Sequence, residues 1–235
     1  MNNSKGKLYL IPSMLGESAQ HTILPHTLEI VNATDFFIVE SAKSARRFLR
    51  AIGFNKSFDE IEFAELNEHN KDFDSGFLLD AVASGKNVCV ISDAGIPCVA
   101  DPGNIVVSVA HQNNIEVIPL VGPSSIMLAL MASGLNGQQF LFHGYIPVKE
   151  PERSKFIKLM DAEANKRITQ IFIETPYRNN KLLQELMKNC RKETLLTIAC
   201  DLTLKTELIK TKKVGEWKQK IPEINKRPAV FLLGV

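Results

Sequence analysis

The sequence predicts an α/β protein of two α/β halves, with a mostly parallel sheet in the first and a mixed sheet in the second. Three observations carry that expectation. Short apolar runs alternate with helix-like stretches over residues 7–120, the order that lays a parallel sheet between helices. The apolar run over 87–91 feeds a turn-rich crossing, Ser92-Asp93-Ala94-Gly95-Ile96-Pro97 closing with Asp101-Pro102-Gly103, before a helix-like segment over 104–113. Finally, Val121-Gly122-Pro123-Ser124-Ser125 breaks the alternation, which places the domain boundary near 119–122 and gives domains 1–119 and 120–235.

Taken in order, residues 7–11 read as a strand and 12–16 as the loop after it. A helix is expected over 21–32, with Pro25 near its first turn, where a missing N–H is tolerated. Strand 35–40 and helix 41–52, stopped by Gly53, follow, then a short strand over 57–62. Residues 65–72 are polar and acidic, a surface loop, ahead of a helix over 74–84 that stops at Gly85. A strand over 115–120 completes the first half. The second half opens with an apolar helix over 126–133, ended by Gly134, and a strand over 140–143. A turn-rich stretch over 147–153 leads to a basic helix reaching Ala164. Strand 169–174, helix 178–189 and strands over 194–201, 207–211 and 229–234 complete the chain.

Composition narrows the class. With 45% hydrophobic and 23% charged residues, the 235-residue chain has the make-up of a soluble globular protein. No apolar run approaches the roughly 20 residues that span a bilayer. The start lacks a signal-peptide cleavage pattern, which argues against secretion by a recognisable signal. Cys89, Cys98, Cys190 and Cys200 form no CxxC pair and no zinc spacing; reduced, structural thiols in a cytoplasm are expected, with Cys89 in the core. The net charge of +2 conceals a split. Residues 1–150 hold 10 basic and 16 acidic side chains, residues 151–235 hold 18 and 10. The basic positions are scattered, from Lys155 and Lys158 to Lys218 and Lys220. They suit solvated helix faces, and some of them suit contact with a phosphate-rich partner.

Common catalytic signatures are missing. There is no GxxxxGK[ST] phosphate loop, no GxGxxG fingerprint and no GxSxG elbow. The five histidines form no HExxH and no metal-ligand spacing, so no metal is expected, and His143 reads as a structural or surface side chain. The crossing at 92–103 therefore stands out. Loops at the carboxyl ends of α/β strands are where such sheets bind ligands, glycine permits close backbone approach, and carboxylates accept from hydroxyls and amines. The alternative is a tight loop capped by Asp101 at a helix start. Ser124 and Ser125 are open to the same two readings: caps of free N–H groups, or contacts to an anionic or polar ligand.

The order of Leu8-Tyr9-Leu10-Ile11-Pro12, the Ser92–Pro97 and Asp101–Gly103 motifs, Pro119-Leu120-Val121-Gly122-Pro123-Ser124-Ser125 and Ser133-Gly134-Leu135 resembles the tetrapyrrole methylase superfamily. Phe140-Leu141-Phe142-His143-Gly144-Tyr145-Ile146-Pro147 and Glu174-Thr175-Pro176-Tyr177-Arg178 extend the likeness over essentially the whole chain. Within that superfamily the chain most resembles the ribosomal RNA small-subunit methyltransferase I branch. The resemblance implies an S-adenosylmethionine-dependent methyltransferase, usually a homodimer, with the cofactor in a cleft between two α/β domains. It implies cofactor contacts by Pro12 and Ser13 from the first loop, and by Asp93, Gly95 and Ile96 from the central loop. Ser124 and Ser125 would meet it at the domain junction, and Ala199, Pro228 and Ala229 from the second domain.

The branch pattern is broken in three places. Leu15-Gly16-Glu17-Ser18 replaces a Gly-Asn-Leu run leading to Asp, Glu40-Ser41-Ala42-Lys43 replaces Glu-Asp-Thr-Arg, and Tyr177 stands where a histidine is expected. These positions fall mostly on the implied substrate side. A ribose hydroxyl is a poor nucleophile at neutral pH, so a base is sought. Glu174 is the candidate catalytic carboxylate, or else a buried strand-end partner of Arg178. Arg178 is a candidate phosphate or carboxylate contact, and Glu40 a second substrate-side candidate. The expected acceptor is RNA, a ribose 2′-hydroxyl of small-subunit rRNA. A small-molecule or protein acceptor, or a non-catalytic cofactor-binding module, are the alternatives.

Overall fold

A computed structural model describes residues 5–67, 74–219 and 221–235. Most of the acidic loop expected over 65–72, and Lys220, lie outside the described residues. Contacts divide the chain into two compact units, Met1–Ser124 and Ser125–Val235.

In the first unit, β1 (Leu8–Ile11), β2 (Phe36–Val39), β3 (Glu62–Glu65), β4 (Val88–Ile91) and β5 (Val117–Pro119) form one sheet in the order β3-β2-β4-β1-β5. Every pairing is parallel, with Leu8 opposite both Val88 and Val117, and Phe36 opposite Val88. Val88, Cys89, Val90 and Ile91 are all buried, as a central strand covered on both faces must be. Alternate residues feed two separate cores. Leu8, Ile38, Val88 and Val90 pack with α3 (Ser75–Ala83) and α4 (Asn104–Gln112). Ile11, Phe37, Val39, Cys89 and Ile91 pack with α1 (Pro25–Asn32) and α2 (Ala42–Ile52). The connections leaving β1 and β2 therefore run on one face and those leaving β3 and β4 on the other. This is the arrangement whose carboxyl edge opens at a switch point.

Local chemistry sets the helix ends. Ser41 caps α2 by accepting from the Ser44 N–H at 3.4 Å, and Gly53 closes it at φ +95°. Asp74 caps α3 through Gly76 N at 2.9 Å. Two expected elements differ. The helix expected over 21–32 begins only at Pro25, after a 3-10 turn at Gln20–Thr22. Leu24 precedes the proline and is held extended (φ −75°, ψ 149°), so no helix runs through it. The strand expected over 57–62 is a 3-10 turn at Phe58–Glu60 followed by β3. Ser57 and Glu60 form a reciprocal capping box there, which bends the chain before it can extend.

The second unit holds β6 (Phe140–Tyr145), β7 (Thr169–Ile173), β8 (Leu195–Cys200), β9 (Leu208–Lys213) and β10 (Ala229–Gly234), ordered β6-β7-β10-β8-β9. Only β6 and β7 are parallel; the other pairings are antiparallel, so the sheet is mixed. Phe172, Leu196, Ile198, Phe231 and Leu233 make one core with α6 (Glu152–Ala164) and α7 (Asn179–Asn189). On the opposite face α5 (Ser125–Ser133) covers β8, β9 and β10, and the Thr211 hydroxyl donates to Ser133 O at 2.7 Å. A four-residue helix, α8 (Val214–Trp217), is additional to the expected elements; it is too short to show a helical period. The buried Trp217 indole N–H donating to Leu196 O fixes it.

Candidate functional site

Three loops leave the carboxyl edge of the first sheet side by side, from β1, β4 and β5. They are joined by contact at van der Waals range and by main-chain bonds. Ser13, 1% exposed, donates its N–H to Gly95 O at 2.8 Å. Gly95 adopts φ +79°, and a Cβ there would meet Leu15 Cδ2 at 3.1 Å and Pro123 O at 3.4 Å. The backbone angle favours glycine, and a side chain there would also have to push the end of Leu15 back by a few tenths of an ångström. Gly122 lies so close to Pro12 that a Cβ on it would sit 2.2 Å from the proline Cβ. Pro12, Ser13 and Gly95 are thus buried members of a packed loop junction, while Asp93 is exposed and Ile96 half-buried.

Asp101 takes the structural role open to it in the sequence. Its carboxylate accepts from Cys98 N at 2.8 Å and Gly103 N at 2.7 Å, which folds the crossing into a compact turn before α4. Glu40, at the end of β2, works in the same way from outside the loop. Its Oε1 accepts from the Ser92 hydroxyl at 2.9 Å and from Asp93 N at 2.8 Å. Burial raises the Glu40 pKa, and those two bonds oppose the rise.

Beside the junction is a cavity of about 160 Å³ lined by Ser13, Leu15, Glu17, Ser44, Arg47 and Asp93, among others. Desolvation lifts the Asp93 pKa, against the Ser44 side chain that bonds its carboxylate and the nearby Arg47 charge. Arg47 also pairs with Glu17 at 2.9 Å across the cavity rim. Ser44 and Arg47 are absent from the sequence-derived set. No motif marks them, and only their three-residue spacing on α2 brings both to this rim.

In the second unit, β8 ends and β10 begins at the same sheet edge, where Asp201 N donates to Pro228 O at 2.9 Å. Ala199 is opposite Val230, and Ala229 is opposite Cys200. Ala229 and Cys200 belong to the α6–α7 core, so the Ala199 side chain projects to the other face. A ligand touching both alanines meets at least one of them through its main chain. Ser124 ends the first unit and Ser125 starts α5, both half-buried.

Glu174, the candidate catalytic carboxylate, is 4% exposed. Its Oε1 accepts from Arg178 Nη2 at 2.6 Å, Arg178 Nε at 2.9 Å and Thr175 N at 2.7 Å. Its Oε2 faces Arg153 Nη2 at 3.5 Å, and Arg153, 1% exposed, also pairs with Glu185. Arg178 takes Oε1, while Oε2 is buried within ion-pair range of Arg153 and accepts no hydrogen bond. This geometry matches the strand-end partner of Arg178, with Oε2 turned to the buried Arg153. His143 is likewise engaged, with Nε2 2.7 Å from Gln170 Oε1 and its ring edge-on to Phe156.

Comparison with known proteins agrees with this architecture. A family model described as Tetrapyrrole (Corrin/Porphyrin) Methylases matches residues 18–218. The chain is 32% identical to the ribosomal RNA small subunit methyltransferase I of Escherichia coli O157:H7, over 92% of this chain and 72% of that protein. It is 30% identical to the protein of the same name from Vibrio cholerae, over 89% and 69%. Among solved structures, cobalt precorrin-4 methyltransferase, a cobalamin biosynthetic enzyme, superposes with a TM-score of 0.63 at 17% identity, covering 100% of this chain and 97% of its own. The uroporphyrin-III-C-methyltransferase of Thermus thermophilus gives 0.57 at 16% identity, over 97% and 92%. These two share the fold.

Proposed function

Because the chain belongs to the tetrapyrrole (corrin/porphyrin) methylase family and is a methyltransferase, we propose that it methylates small-subunit rRNA at a ribose 2′-hydroxyl, with S-adenosylmethionine as donor. The observation that carries the choice of acceptor is the 30–32% identity, over about nine-tenths of the chain, to proteins named for rRNA. The solved structures named for tetrapyrrole chemistry share only 16–17%.

The residues present suit the donor. A nucleoside bearing an amino acid offers hydroxyls and amines, and the exposed Asp93 carboxylate beside the cavity accepts from such groups. The proposed set in the first unit is Pro12, Ser13, Asp93, Gly95, Ile96 and Ser124, presented largely through main-chain turns. The second unit contributes Ser125, Ala199, Pro228 and Ala229. When bound, the sulfonium supplies an activated methyl carbon. The protein's own part is then alignment of the acceptor oxygen, which is worth up to about 7–11 kcal/mol in well-oriented systems. Glu40 supports this indirectly by fixing the Ser92–Asp93 turn, and Glu174 by fixing Arg178. Both act as positioning residues in this proposal, with Arg178 left to meet a phosphate. A homodimer in the cytoplasm is the proposed working form.

The test is incubation with methyl-labelled donor and unmodified small-subunit rRNA, tRNA and metabolite extract. Label in rRNA that resists alkaline cleavage at one position is the expected result. Label in a small molecule alone would overturn the RNA assignment and leave the methyltransferase standing.

A further inference from the structure

Two of the chain's three tyrosines stand exposed at one end of the parallel β6–β7 pair, outside both the proposed donor set and the buried ion cluster. Gly144 adopts φ +64°, and a Cβ on it would meet nothing within 4 Å, so the backbone angle is its reason for being glycine. The β6–β7 register shifts between Phe142 and Tyr145, and such a bulge re-aims the side chain beside it. Tyr145 emerges 54% exposed, opposite Ile173 at the end of β7. The turn that follows β7 carries Tyr177, 75% exposed.

Cations border the Tyr177 ring. Lys226 Nζ lies 5.9 Å from the centroid of the Tyr177 ring. Arg178 follows Tyr177 in the chain and is held by Glu174 at 2.6 Å. The support beneath is rigid. Lys226 N donates to Pro176 O at 3.0 Å, the buried Asn179 donates to Arg227 O at 2.7 Å, and Asn180 donates to Glu223 at 3.0 Å. The 223–227 loop is thereby locked to the turn that displays Tyr177. An exposed aromatic face fixed in advance and edged by positive charge matches an unpaired nucleobase with its phosphate.

We propose that Tyr145, Tyr177, Arg178 and Lys226 form a stacking platform for unpaired bases of a single-stranded RNA acceptor. The proposal rests on the RNA reading above and specifies which form of RNA is gripped, and where. Paired RNA hides its base faces within the stack, so the platform discriminates against duplex.

The experiment measures fluorescence anisotropy of a labelled mixed-sequence 12-nucleotide single strand and of its duplex. Tyr177→Ala, Tyr177→Phe, Tyr145→Ala and Lys226→Gln are compared with the parent. Each Tyr→Ala change should weaken single-strand binding by about 5- to 150-fold, while Tyr177→Phe stays within about 2-fold. Lys226→Gln should lower the slope of log affinity against log salt by about 0.7. Both tyrosines are exposed, so thermal melting should match the parent and confirm folded variants. Tyr→Ala variants that bind like the parent, or that lose duplex binding equally, overturn the platform. Methylation of rRNA by the parent separates the two levels. If the parent labels rRNA while the alanine variants bind it unchanged, the platform falls and the function stands. If the parent neither binds nor labels RNA, the RNA reading fails and the platform goes with it.

Discussion

Replacing Gly122 by alanine tests whether the loop junction is held by shape. The added Cβ would sit 2.2 Å from Pro12 Cβ and 2.3 Å from Pro12 Cγ, where ordinary contact begins at 3.4 Å. One loop must therefore retreat by about 1.2 Å, because a pyrrolidine ring has no rotamer that clears the clash. The next residue after Pro12 is Ser13, whose 2.8 Å bond to Gly95 O ties in the third loop. Overpacking of this kind costs about 1–3 kcal/mol, and the Ser13–Gly95 bond is worth about 1 kcal/mol of that if it is lost. The larger consequence falls on function, since misplacing a site by about 1 Å can cost on the order of 100-fold.

Urea unfolding and calorimetric titration with S-adenosylmethionine read the two effects separately. Gly122→Ala should lose about 1–3 kcal/mol of stability and bind donor at least 10-fold more weakly. Gly137, where a Cβ would meet nothing within 4 Å, supplies the control, and Gly137→Ala should stay within about 0.5 kcal/mol of the parent. A Gly122→Ala protein with parental stability and parental donor affinity would refute the packed junction as the donor-holding element.

The buried Arg153 gives a second test. Arg153→Met removes the partner of Glu174 Oε2 and Glu185 and should destabilise by about 3–5 kcal/mol in urea, whereas the double change Arg153→Met with Glu185→Leu should recover part of the loss. For pH dependence, burial raises the folded-state pKa of Asp93 and of Glu40, so their contribution to stability is full in acid and is lost as pH rises through the raised value. Donor affinity follows the Asp93 carboxylate and should decline, on acidification, from a pH above its ordinary 3.8; Arg47→Ala should move that decline to higher pH while leaving affinity at pH 8 unchanged, which calorimetry across pH would show. Burial pushes the Cys89, Cys98 and Cys190 thiols up to about 12, so a thiol reagent at pH 8 should label them in urea and hardly at all in the folded protein.

What could be read from the residues was what local chemistry decides. The stop at Gly53 and the apolar runs of the strands each act within a few residues, so they were visible in the chain, whereas Ser41 and Asp74, included in the expected helices, cap them. The 57–62 segment misled because its apolar spacing suits a strand while its Ser57–Glu60 pair suits a turn, and the turn prevailed. At the site, the loop motifs announced that something unusual happens after β4. They left open whether Asp101 closes the turn or meets a ligand, and gave no sign that Glu40 braces it from 53 residues away. Carboxylates look alike in sequence whether they meet ligand or backbone. Glu174 was the hardest to place, since its second partner, Arg153, lies on a different element, at the start of α6.

The loop junction and the charged rim of the cavity differ in kind. Gly95, Gly122 and Pro12 are fixed by backbone angle and by atoms in contact, so a change at any one displaces its neighbours. Glu17 pairs with Arg47 where both side chains are more than half exposed, and Glu65 accepts from Ala42 N at an exposed helix start. Exposed pairs of that sort contribute about 0–1 kcal/mol, so exchanging them costs the fold little. A change on the charged rim of the cavity therefore disturbs the fold less than a change at Gly122 or Pro12 in the loop junction beneath it. A rim of that kind can be retuned to a different acceptor while the donor-side turns keep their shape.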